Sequence, residues 1–75
     1  MYKVNYENEE VKSLFKGKDL LSNVIECFTD EFGEESISEI KEIFISDAGD
    51  EVRYFFYNSK NDLIYQESDR KSDLQ

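Results

Sequence analysis

Seventy-five residues make one domain that buries only roughly 60% of its unfolded surface, so the core is small and an enclosed active site is hard to build. Eighteen Asp and Glu against nine Lys and Arg give a net charge of −9, which repels phosphate backbones and anionic membranes and favours basic protein surfaces; direct nucleic-acid binding is not expected. Eleven Phe and Tyr, 15% of the chain, exclude a disordered acidic tail, which would be poor in aromatic side chains.

Tyr2, Val4 and Tyr6 alternate with Lys3 and Asn5, the period of a half-buried strand. The polar stretch that follows spaces Val11, Leu14 and Phe15 at i, i+3 and i+4, which predicts a short extra helix near residues 9–16 before Gly17 interrupts. Leu21, Val24, Ile25, Phe28 and Phe32 then fall on one helical stripe, with Asp19 as the expected N-cap and Gly33 as the residue just past the C-terminus. This is the main helix.

Residues 36–43 read in two ways. Ser36 and Glu39 form a possible capping box for a helix, whereas Ile43, Phe44 and Ile45 are β-formers ahead of a turn at Asp47-Ala48-Gly49-Asp50. The strand, from about Ile40 to Ser46, is the expectation. Val52 to Tyr57 is the strongest β segment, Asn58 to Asp62 a loop, and Leu63 to Glu67 a last strand. Residues 1–68 thus form a single α+β domain of order β-α-β-β-β, one main helix packed on a small antiparallel sheet, with residues 69–75 expected to fray.

The charge is unevenly placed. Glu26, Asp30, Glu31, Glu34, Glu35, Glu39 and Glu42 lie within one segment against a single cation, Lys41. Acids at the C-terminal end of a helix oppose its dipole by about 0.3–1 kcal/mol each, and Glu26 with Asp30 adds an i, i+4 like-charge pair. A solvated face in a generally acidic chain is the plain reading. Broken local rules favour a second: a carboxylate array that occupies a basic groove built for phosphates.

The aromatic residues form the other candidate contact. Successive strand side chains point to opposite faces, so Tyr54 and Phe56 share one face and Phe55 and Tyr57 the other, and one helix covers only one. The uncovered pair, joined by Phe44 or Tyr65, would be a partner or dimer contact, unless the segment Glu7 to Lys18 folds over it.

Other chemistry is weakly supported. Gly17-Lys18-Asp19 lacks the first Gly and the Ser or Thr of a phosphate loop, and the acids around Gly49 lack calcium-loop spacing. Asp30 with Glu39-Ile40-Lys41 resembles the acid, acid-x-lysine arrangement of some metal-dependent nucleases, which need a larger fold with a groove open to DNA. Cys27 is expected to be a buried, inert thiol, and without His there is no ready acid or base near neutral pH. No enzyme activity, cofactor or metal is therefore expected. No signal-peptide pattern or bilayer-length apolar run is present in the sequence, and a lone cysteine forms no internal disulfide, so a soluble cytoplasmic protein, in the host cytoplasm if phage-encoded, is the expectation.

In size, charge and aromatic content the chain resembles, in type only, the small acidic proteins of bacteriophages and mobile elements. That resemblance implies an inhibitor that mimics nucleic-acid charge and blocks a basic host defence protein, such as a nuclease, a restriction enzyme or a CRISPR effector. The alternative is a small assembly protein that homodimerises through its aromatic sheet face.

Overall fold

The computed structural model describes residues 2–75; Met1, where the expected domain begins, lies outside them. In chain order the elements are β1 (Lys3–Tyr6), α1 (Glu9–Phe15), α2 (Leu21–Phe32), a 3-10 helix (Glu34–Glu39), β2 (Glu42–Ala48), β3 (Glu51–Tyr57), β4 (Leu63–Arg70) and a second 3-10 helix (Lys71–Leu74). The strands lie in the order β1-β2-β3-β4, and β2, β3 and β4 form the expected antiparallel meander. β1 pairs with β2 in parallel, Val4 opposite Ile43 and Tyr6 opposite Ile45, so the sheet of this α+β domain is mixed. Parallel neighbours need a crossover rather than a hairpin, and α1 and α2 supply it.

Local chemistry sets the element ends. Asn8 caps α1, its side-chain oxygen accepting the Val11 N–H at 2.8 Å, with Glu9 and Glu10 favourably placed in the first turn. Asp19 does not cap α2 as expected; Leu20 takes that position without a side-chain cap, and the Asp19 carbonyl instead accepts the Ser22 hydroxyl at 3.0 Å. Gly33 ends α2 as expected, at φ 92°, with its N–H donating to the Thr29 carbonyl at 2.7 Å. A Cβ at Gly33 would also lie 2.9 Å from the Glu35 carboxylate.

Residues 36–43 divide between the two readings. Ser36 to Glu39 continue the 3-10 helix, the Ser36 hydroxyl donating back to the Phe32 carbonyl at 2.8 Å in place of a capping box, and β2 begins only at Glu42. The turn between β2 and β3 is Gly49-Asp50, with positive φ at Gly49 alone, the pattern of a type II′ hairpin.

Both helices lie on one face of the sheet. Val11 and Phe15 of α1, Val24 and Phe28 of α2, Ile43 and Ile45 of β2, and Val52, Tyr54 and Phe56 of β3 form one buried cluster, closed by Ile40 and Leu74. Phe15 meets Tyr54 edge to face at 6.1 Å, while Phe28, Phe56 and Tyr65 pack pairwise with ring centres 5.2–5.3 Å apart, Tyr65 edge to face with both Phe rings. The segment Glu7 to Lys18 therefore does not cover the second face. It belongs to the crossover, which packs its apolar stripe on the side α2 already occupies.

The end of the chain departs from expectation as well. β4 runs to Arg70, and residues 69–75, expected to fray, instead hold Asp69 against the Tyr54 hydroxyl at 2.8 Å and bury Leu74 in the core. Lys71 Nζ lies 2.8 Å from Asp47, and Lys18 Nζ donates to the Leu74 carbonyl at 2.8 Å. A strand pattern based on apolar residues stops at Tyr65 because the rest of β4 carries only polar side chains. Among the described residues no helix is long and apolar enough to cross a membrane.

Candidate protein interaction site

From Asp19 to Ile40 the sequence holds seven acids and no Lys or Arg, and this stretch forms α2 and the 3-10 helix. Glu26, Asp30, Glu31, Glu34, Glu35 and Glu39 are all exposed on the helical side of the molecule. Among the described residues none of the six takes part in an ion pair. Glu42 separates from them. It projects from the opposite face of the sheet, where Asn5 Nδ2 donates to its Oε2 at 2.8 Å, so the expected cluster divides six and one.

The dipole argument also divides. Asp30 and Glu31 sit in the last turn of α2, which has no basic residue to offset them. Glu34 and Glu35 instead open the 3-10 helix, where the exposed N–H groups of a first turn favour negative charge. Local stability explains Glu34 and Glu35 but not Glu26, Asp30 and Glu31.

Glu67 of β4 extends the acidic face, and sequence reading missed it. It accepts the Tyr65 hydroxyl at 2.6 Å, beside the helical side of the sheet. Its charge is felt at Cys27: the thiol is pushed up mainly by Glu67, then by partial burial, a hydrogen bond to Glu67, and the charges of Asp30 and Glu26. Cys27 is thus surrounded by carboxylates. It is exposed, not buried as expected, because it lies on the rim of α2 next to the edge strand. Burial first, and then the bond to Glu67, pushes the Tyr65 phenol well above its ordinary value. The spacing of Tyr65 and Glu67, two residues apart on one strand face, was the available signal.

An apolar element interrupts the acids. Phe32, placed by its spacing in the buried stripe, is 45% exposed. It packs on Phe28 at 5.1 Å and Tyr65 at 6.0 Å. Together with Ser36, Glu39, Asn58 and Ile64 the two Phe rings line a shallow pocket of about 210 Å³.

The six aromatic candidates separate by face. Phe44, Phe55 and Tyr57 project half-buried from the bare side of the sheet, with Phe44 directly opposite Phe55. Tyr54 and Phe56 are fully buried under the helices, and Tyr65 is half-buried in the Phe28 cluster, so these three leave the contact set. Among the described residues no group of three or more His, Cys, Asp or Glu side chains is arranged to hold a metal ion. In comparisons with protein-family models, curated proteins and solved structures, nothing matches this chain.

Proposed function

We propose that this protein is an acidic protein–protein interaction module whose helical face takes the place of nucleic acid on a basic partner. The observation that carries the reading is the surface of α2 and its 3-10 extension, with six exposed carboxylates and no cation between Asp19 and Ile40. Ordinary surfaces intersperse both signs, and isolated carboxylates gain little from water-exposed neighbours. Phe32, which lies between these acids in the chain and is 45% exposed, adds an apolar anchor, the kind of residue that carries binding energy within a polar surround. The partner class is a DNA- or RNA-binding protein, and the biological setting that fits is a phage or mobile-element inhibitor of a nuclease, restriction enzyme or CRISPR effector. No cofactor, no metal and no enzymatic step enters this role, which would be played out in the host cytoplasm.

The test is capture from a nuclease-treated bacterial lysate. A nucleic-acid-binding protein retained at about 0.1 M salt and released near 1 M, where the screening length falls to roughly 3 Å, is the expected result. The double variant Glu34→Lys, Glu35→Lys should lose that protein while keeping its circular dichroism. Unchanged capture by the folded variant would refute the reading.

A second reading is favoured by the bare aromatic face: a small structural protein that homodimerises through the sheet. The two readings are compatible, since the acids and the aromatic face lie on opposite sides.

A further inference from the structure

Between them, the four strands give the bare face a layered layout. Phe44 and Phe55 form its central cross-strand pair, and Tyr57 stands opposite Leu63, which is 50% exposed. Uncharged Asn5 and Gln66 flank the Phe pair on the outer strands. Charged residues are confined to the two ends, Lys3 and Glu42 at one, Glu7, Arg53, Glu51 and Arg70 at the other, where Glu7 accepts the Ser46 hydroxyl at 2.8 Å. An apolar centre inside a charged rim is the anatomy of a protein interface.

We infer that this face pairs two copies of the chain about a two-fold axis lying in its plane and running across the strands. The inference rests on the second reading above and adds to it an axis, a charge exchange and a valency. Two chains of net charge −9 repel each other in most orientations. The bare face is different: it carries three cations, Lys3, Arg53 and Arg70, against three acids, Glu7, Glu42 and Glu51, and so is neutral. The proposed axis turns the Glu42 end of one copy onto the Arg53 end of the other, so the face is complementary to itself. Strands of four, seven, seven and eight residues, about 4.8 Å apart, present on the order of 400 Å² in projection per copy. That gives the pair about 800 Å² in total, below the roughly 1,200 Å² of standard specific interfaces, and makes a weak, reversible dimer the expected form. Its two acidic helical faces point outward in opposite directions, so one dimer offers two identical sites to basic partners.

Sedimentation velocity of the full chain between about 5 and 500 μM tests this through mass action. The mass should rise from 8.9 kDa toward twice that value, and the Phe55→Glu variant should stay at 8.9 kDa with unchanged circular dichroism. Arg53→Glu and Glu42→Arg should each weaken the dimer about tenfold, and the double variant should regain most of the loss if the two ends meet. A native protein that stays monomeric throughout, or a dimer that survives Phe55→Glu, would overturn the inference. Poly-lysine separates it from the acidic reading, which expects binding that weakens as salt rises whether or not the chain dimerises. A native chain that stays monomeric yet binds poly-lysine leaves the acidic reading standing alone.

Discussion

Phe55 and Phe56 are adjacent, chemically identical and on the same strand, yet they meet different surroundings, which makes their truncation a direct measure of the one-sided sheet. Phe56 is fully buried and stacks on Phe28 and Tyr65, each at 5.2 Å. Phe56→Ala should cost about 3–5 kcal/mol for lost burial and the cavity left behind. Phe55→Ala removes only the cross-strand contact with Phe44 and some strand preference, together about 1 kcal/mol. A 75-residue domain is stable by roughly 4–11 kcal/mol, so the first change removes much of its stability and the second little. Urea titrations followed by circular dichroism, at a few micromolar protein to keep the chain monomeric, should show midpoints far apart at a common slope. Comparable losses from the two variants would refute the assignment of faces.

Four further outcomes are expected. The Lys71 ammonium, followed by the Asn8 side chain and the Gly49 N–H, holds the Asp47 carboxyl down to about 2, so the tie it makes is complete above its ordinary value of 3.8 and is lost as pH falls through about 2. Asp47→Asn should therefore lower the melting temperature at pH 7, with the gap to the native chain closing near pH 2. Lys71 is shifted the other way, upward, chiefly by its bond to Asp47; its contribution is present below 10.5 and is lost only as pH rises through the higher folded value, so Lys71→Met should matter at neutral pH and progressively less in strong alkali. Leu74→Ala, in the supposed tail, should cost about 2 kcal/mol, some 8–16 °C in melting temperature; no change would mean that the second 3-10 helix is undocked in solution. Cys27 should react with a thiol reagent more slowly at pH 7.5 than a free thiol despite its exposure, and Glu67→Gln should speed it; equal rates would argue against the carboxylate ring around it.

Helix α2 was legible because five apolar residues keep one period, and the division of Tyr54 and Phe56 from Phe55 and Tyr57 followed from strand alternation alone. The face that α1 takes was not legible: Val11, Leu14 and Phe15 specify a stripe but not the side on which a crossover runs. Strand direction was equally hidden, since a four-residue alternation reads the same for parallel and antiparallel pairing. Phe32 belongs to the α2 stripe by number, yet it is 45% exposed, since spacing along a helix does not say how far each residue of the stripe is covered. The acids were visible as a run in sequence, but a count cannot say that Glu42 enters a strand and turns to the other face, nor that Glu67 of a distant strand joins the rest.

The parallel pairing of β1 with β2 also orders events in time. Val4 meets Ile43 at a chain separation of 39 residues, whereas β2, β3 and β4 are joined by short turns. Closing short loops costs the least chain entropy, so the meander is expected to form before β1 docks. During synthesis at about 5–20 residues per second, β1 leaves the ribosome on the order of seconds before any strand exists to receive it. A damaged β1 contact, such as Val4→Ala, would then accelerate unfolding while hardly slowing folding, so the N-terminal strand governs how long the folded molecule lasts rather than how quickly it appears.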